Sequence, residues 1–267
     1  MNYRAFFEFT SEPFSSDIPH SQILVTHQLT GVQDRIQYAV RLGAAALITG
    51  DVGSGKSTAL RYVTGALHPS EYKVLFVTAS AGSILELYRQ ILSELGMDVG
   101  SSSRAVMIRK IKHEVLECVR GKKMKVILII DEASLFRLGV FTELHTLTQF
   151  EGDSKPFLPL ILAGQSNLID NLTFPNSMPL ASRIVGRCHL HGVDRQGMEE
   201  YITHHLAIAG VQRNIFEDAA ITAIHQGSGG LFRKSNNLAR GSIIVAARKK
   251  SAMVTAEHVR IAATEIF

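Results

Sequence analysis

The octapeptide Gly50-Asp51-Val52-Gly53-Ser54-Gly55-Lys56-Ser57 sets three glycines, a lysine and a hydroxyl in the order G-x-x-x-x-G-K-S. Residues in that order suit a phosphate cradle. Glycines let the backbone wrap an anion, the N–H groups of the loop and of a helix beginning near Lys56 point at its oxygens, and Lys56 adds a point charge. Ser57 then offers a hydroxyl to Mg²⁺. A second group lies downstream, where the apolar run Lys125 to Ile130 ends in the adjacent carboxylates Asp131 and Glu132. From a strand beside the loop strand, Asp131 would help hold the Mg²⁺ and Glu132 would polarise the water that attacks a γ-phosphate. The plainer role for such a pair is to solvate a strand end and cap the next helix. A water-activating acid directly after the metal acid favours hydrolysis over transfer of phosphate to a small molecule.

Three further polar positions extend this group. Gln165 closes the apolar run Leu158 to Ala163 through Gly164 and is placed to reach the γ-phosphate or the attacking water; its alternative is a plain residue of a turn. Arg183 and Arg187 flank the start of the last apolar run. An arginine there faces the nucleotide of a neighbouring subunit in ring or filament ATPases and stabilises transition-state charge. Arg183 is the first choice and Arg187 the second; the alternative for each is a surface arginine paired with a local acid. Arg233, after Gly227-Ser228-Gly229-Gly230-Leu231-Phe232, opens a helix from which it would fold back over the phosphates, or else acts as a capping residue.

The elements that must position these residues alternate. Apolar runs at Ala44 to Thr49, Lys73 to Thr78, Lys125 to Ile130, Leu158 to Ala163 and Val185 to Leu190 carry no polar alternate face, as strands of a parallel sheet buried on both sides do. Between the second and third, Ile84, Leu87, Tyr88, Ile91 and Leu95 recur at helical spacing and stop at Gly96, and Ile108, Ile111, Val115 and Val119 form another stripe. The small polar segment Gly96 to Ser103 between them predicts a loop. From Asp194 onward the pattern predicts helices only, over Asp194 to Ala209, Ile215 to Gln226, about Arg233 to Lys249, and Thr255 to Phe267. The expected division is an α/β nucleotide-binding domain over residues 1–193, with 1–40 as an extension near the adenine side, and a helical lid over 194–267.

A chain of 267 residues with 46% hydrophobic content can bury a full core. It is expected to leave no room for the second motor domain that a helicase of the Asp-Glu-Ala type needs. No apolar run approaches the roughly 18 residues of a membrane span, and the start of the chain lacks a signal-peptide core, so a cytoplasmic location is expected. Cys118 and Cys188 stand 70 residues apart with no metal-type spacing, and the histidines at 189, 191, 204 and 205 lack a partnering cluster of acids or cysteines. The net charge of +4 permits contact with nucleic acid without demanding it.

Taken together, these residues resemble the AAA+ ATPases, in particular the ExeA-type branch, which includes secretion-pathway ATPases and MuB/TnsC-type transposition helpers. The resemblance covers nearly the whole chain and rests on Glu12-Pro13-Phe14, Leu47 through Ser57 to Thr58, Asp131-Glu132, Leu158 to Gln165, and Gly229-Gly230 before Arg233. It implies a five-stranded parallel sheet of order 5-1-4-3-2 with helices on both faces and ATP with Mg²⁺ at a subunit interface. It also implies the Walker A role for 50–58, Walker B for Asp131 and Glu132, sensor 1 for Gln165, the arginine finger for Arg183 or Arg187, and sensor 2 for Arg233. Where the branch usually carries proline before that last arginine, this chain carries Phe232.

Two partner classes follow from the branch. As a transposition helper the protein would assemble with itself on duplex DNA, present target DNA to a transposase and come apart on hydrolysis. Candidate DNA contacts are Arg104, Arg109, Lys110 and Lys112, with Arg248, Lys249 and Lys250 near the end; the alternative for each group is a solvated helix face. As a secretion-pathway ATPase it would assist envelope assembly, and such proteins carry a membrane segment and a peptidoglycan-binding domain after the ATPase. The chain ends at Phe267 without either, which turns the expectation toward transposition.

Overall fold

The computed structural model describes residues 2–81, 83–98, 100 and 103–266. Val99, Ser101 and Ser102 of the expected Gly96–Ser103 loop, and Phe267 at the end of the last predicted helix, lie outside the described residues. The first half of the chain forms α1 (Tyr3–Phe7), α2 (His27–Leu42), β1 (Ala45–Gly50), α3 (Lys56–Gly65), β2 (Tyr72–Thr78), α4 (Ile84–Glu94), α5 (Arg104–Leu116) and β3 (Lys125–Asp131). The second half forms α6 (Leu138–Thr148), β4 (Leu160–Gly164), α7 (Asn167–Thr173), α8 (Met178–Ala181), β5 (Ile184–Leu190), α9 (Arg195–Ile208), α10 (Asp218–Ser228), α11 (Phe232–Arg248) and α12 (Ala256–Ile266). Contacts divide the chain into an α/β unit, Thr26–Gly50 with Lys56–Leu190, and a helical unit, Met1–Val25 with Asp51–Gly55 and His191–Phe267.

In the α/β unit the strands pair in parallel in the order β2-β3-β4-β1-β5, which is the expected 5-1-4-3-2 read from the other edge. Strands β1 and β4 are buried along their whole length and β3 from its second residue, while the edge strands β2 and β5 are buried only in part. That contrast explains the order, because only runs apolar on both faces can occupy the centre. As that order requires, β4 lies between the loop strand and the Asp131 strand and pairs with both. Leu75, Leu128, Ile130 and Leu162 pack against Leu87, Tyr88 and Ile91 of α4, Met107, Ile111 and Val115 of α5, and Phe141 and Leu144 of α6. Beyond Leu116, α5 widens into a π-helical turn over Glu117–Gly121. Thr26 starts α2 by accepting a hydrogen bond from the Leu29 amide at 3.2 Å.

In the helical unit, Asp194 starts α9 by accepting from the Gly197 amide at 2.8 Å. Met198, Ile202, Leu206, Ile221, Ile224, Leu238 and Ile243 form its core, and Phe7, Phe9 and Phe14 complete it. The expected boundaries shift accordingly: residues 1–25 group with the helices and not with the sheet, because three aromatic rings must be buried and this core takes them. Arg240 on α11 fastens the Glu12-Pro13-Phe14 segment, donating from Nη2 to the Phe14 carbonyl at 2.7 Å and lying 3.4 Å from the Glu12 carboxylate. The Gly229-Gly230 turn that starts α11 presses on Gly192-Val193. Val193 N donates to Gly230 O at 3.0 Å, and a Cβ at Gly230, whose φ is +75°, would fall 2.2 Å from the Val193 carbonyl oxygen. Only glycine tolerates both the conformation and the approach. Among the described residues no helix is long and apolar enough to cross a membrane.

Candidate active site

Lys56 opens α3 and Ser57 follows it, so both side chains leave the end of a helix at which anions are favoured. Lys56 is only 5% exposed, and its ammonium donates to the Gly50 carbonyl at the end of β1, at 2.9 Å. Ser57 Oγ donates to Asp131 Oδ2 at 2.6 Å, a short charge-assisted bond that joins α3 to the end of β3. Asp131 is likewise 5% exposed and accepts the Glu132 amide on its other oxygen at 2.9 Å. A hydroxyl and a carboxylate held within hydrogen-bond distance are the hard oxygen donors that Mg²⁺ takes.

Glu132 has φ +55° and ψ +29°, a left-handed conformation uncommon for a residue with a side chain. It ends β3 and turns the chain into a 3₁₀ turn over Ala133–Leu135. The carboxylate therefore stands one residue beyond Asp131 but off the line of the strand, where a second acid is needed if it is to take a separate role. The adjacent strand reaches this turn closely. Gln165 N donates to Ser134 Oγ at 3.3 Å, and a Cβ at Gly164 would fall 2.9 Å from the Ser134 amide nitrogen. Gly164 is thus what lets Gln165, an exposed residue, come up beside the acidic turn. Lys56, Ser57, Asp131, Glu132 and Gln165 are gathered by the C-terminal ends of β1, β3 and β4, with β4 aligning the other two.

The loop Asp51–Gly55 belongs to the helical unit, and there it meets the start of α11. Gly53, at φ +86°, accepts on its carbonyl from the Arg233 amide at 3.3 Å, and a Cβ on it would fall 2.7 Å from Arg233 Cβ. Phe232 lies against Gly55, 3.3 Å from where a Cβ would stand, and its ring is 4.6 Å from that of Tyr201. The aromatic residue at the place of the usual proline therefore packs the start of α11 on the loop. Asp51 and Val52 are exposed, whereas Ser54 is buried with its hydroxyl lacking a partner among the described residues. An orphaned buried hydroxyl within a glycine-bent loop fits a phosphate cradle. Arg233 is exposed. Thr58, next along α3, is half-buried.

Arg183, between α8 and β5, is ion-paired with Asp153, so the local acid that spacing left open is present. Arg187 is exposed on β5, and its carbonyl accepts from Arg35 Nε at 2.8 Å. The expected basic face of α5 is reduced. Arg104 pairs with Glu143 of α6, and Lys112 donates to the Thr146 and Gln149 carbonyls at 3.1 and 2.8 Å, closing the C-terminal end of α6. Burial pushes the Lys112 ammonium below its ordinary pKa. Arg109 stays exposed and Lys110 half-exposed. Near the chain end, Arg248 lies 3.8 Å from Glu265, with Lys249 and Lys250 exposed. Ser134, Glu143 and Asp153 were not legible in the sequence; each acts on a residue about 30 to 40 positions away, and no local spacing marks such a pair.

Residues 41–172 match the family model described as AAA domain. General secretion pathway protein A of Aeromonas hydrophila is 28% identical over 269 residues, a match that takes in 99% of this chain and 48% of that protein. The chain thus spans about half the length of this curated relative. Among solved structures, Cdc6p from Pyrobaculum aerophilum superposes with a TM-score of 0.70 at 13% identity, over 99% of this chain and 71% of that one. Aeropyrum pernix ORC1, solved in complex with DNA, superposes with a TM-score of 0.67 at 16% identity, over 99% and 69%. At these identities the two structures share the fold with this chain.

Proposed function

We propose that the protein is a Mg²⁺-dependent ATPase that assembles with itself on duplex DNA and serves a partner transposase as a helper in target selection. The observation that carries the ATPase is the 2.6 Å bond from Ser57 to Asp131 beside the buried Lys56. Ser57 and Asp131 would hold Mg²⁺, which supplies charge neutralisation at the transferring phosphate. Lys56 and the 50–58 loop bind phosphate, Glu132 activates water, Gln165 orients it, and Arg233 answers to the nucleotide from the start of α11. Arg183 completes the site of a neighbouring copy. Support for an exposed subunit face there comes from Ile169, Phe174 and Met178, large apolar residues left 40%, 47% and 59% exposed in the segment just before Arg183. Arg187 is the second candidate for that role.

The DNA partner is supported by the mildly basic balance, by the exposed Arg109 and by a shared fold with a protein solved on DNA. A secretion-pathway role is the second reading, favoured by the 28% identity to General secretion pathway protein A. Electron microscopy with Glu132→Gln, ATP and duplex DNA separates them. Filaments or rings on DNA, dispersed by rising salt, support the first; an ATP-bound protein that ignores DNA at every salt concentration supports the second.

A further inference from the structure

Resting on the role proposed for Arg183, we infer that Asp153 is a latch: it neutralises the trans-acting arginine in the lone subunit and releases it when a neighbour's nucleotide competes for the guanidinium. The ion pair itself joins the residue just before β5 to a loop 30 positions earlier. That loop is unusual in its backbone. Glu151, Gly152 and Asp153 have φ of +49°, +65° and +70°, three successive left-handed residues of which two carry side chains. Such a run persists only where its surroundings hold it. Phe150, buried and bridged to Lys155, anchors the base of the loop; Glu151 pairs with Arg120 on one side, and Asp153 pairs with Arg183 on the other. The loop lines a cavity of about 570 Å³ together with Lys112 and Leu116.

Charge and exposure give the device its direction. An arginine cancelled by a carboxylate cannot stabilise charge developing on a phosphoryl group, so the pair must open for Arg183 to act in a neighbour's site. The Asp153 side chain is 47% exposed and that of Arg183 25%, which makes the pair a weak one that the several charges of a Mg²⁺-bound triphosphate would outcompete. Arg183 is therefore masked in the monomer and unmasked by assembly, which ties hydrolysis to the presence of a neighbour.

The test measures ATP hydrolysis by the full chain against protein concentration for wild type, Asp153→Asn, Asp153→Ser, Arg183→Ala and Asp153→Asn/Arg183→Ala. Both Asp153 variants should reach half-maximal activity at a protein concentration about two- to five-fold lower than wild type. The double variant should be as inactive as Arg183→Ala. A half-maximal concentration that is unchanged or higher in both Asp153 variants, with Arg183→Ala still inactive, overturns the latch and leaves the trans arginine standing. Wild-type hydrolysis by Arg183→Ala removes the trans arginine, and the latch with it.

Discussion

His205 should make the helical unit acid-labile, by an amount its surroundings fix. It lies on α9 at 3% exposure, with the Phe14 ring stacked 5.5 Å away at 17° and the Tyr201 ring at 4.4 Å. Burial first, and the neighbouring His204 second, push its imidazole from 6.5 down to about 4. The folded state thus keeps His205 neutral, while the unfolded chain takes up a proton near pH 6.5. Because the unfolded state binds more protons throughout that window, stability is complete above pH 6.5 and falls as pH drops toward 4. A gap of about 2.5 pH units at about 1.4 kcal/mol per unit amounts to about 3 kcal/mol, a large part of a domain's usual stability. Urea unfolding followed by circular dichroism from about pH 7 to about pH 4, for wild type and His205→Leu, reads this directly. The wild type should lose about 3 kcal/mol more than the variant over that range, with carboxylate contributions common to both. His204→Gln, at a half-buried neighbour whose ring nitrogen meets the Gln22 carbonyl at 2.7 Å, should retain most of the loss, since burial is the larger cause. Parallel stability curves for wild type and His205→Leu would refute the assignment of a buried neutral imidazole.

Other perturbations address the site and its frame. Lys56→Ala should abolish ATP binding, measured by fluorescence of a nucleotide analogue, since it deletes the buried ammonium at the loop; undiminished affinity would contradict its placement. Gly230→Ala should destabilise the helical unit by about 2 kcal/mol or more in urea titrations, from the left-handed backbone and the collision with Val193. Replacing Arg109 and Lys110 together by alanine should lower the slope of log affinity for duplex DNA against log salt by about 2, one unit for each lost phosphate contact. Replacing Lys112 instead should lower stability with little change in that slope, because its ammonium is spent on the carbonyls of Thr146 and Gln149.

Much of the frame was legible because burial on both faces writes a simple pattern. The runs at 44–49, 73–78, 125–130, 158–163 and 185–190 each lie within one or two residues of a strand, and Gly96, Asp194 and Gly229 mark helix ends or starts as their chemistry requires. The candidate site was legible for the same local reason, as its parts stand at strand ends in short motifs. Strand adjacency was not written locally; the order with β4 between β1 and β3 came from the family resemblance, and the bond from Ser57 to Asp131 spans it. The affiliation of residues 1–25 was hidden as well, since Phe7, Phe9 and Phe14 announce burial without naming the core that receives them. Basic residues were the least legible. Arg104, Lys112 and Arg183 look alike as charges, and only folding reveals Glu143, the helix-end carbonyls and Asp153 as their partners.

The central claim is that each hydrolytic site takes Glu132 from one copy and Arg183 from the next. Mixing two inactive variants, Glu132→Gln and Arg183→Ala, tests it most directly. In an equal mixture half the sites belong to Arg183→Ala copies, and half of those face a copy that supplies the arginine. The mixture should therefore recover about a quarter of the wild-type rate through heterologous contacts. A mixture as inactive as its components, under conditions where the wild type assembles and hydrolyses ATP, would contradict the account.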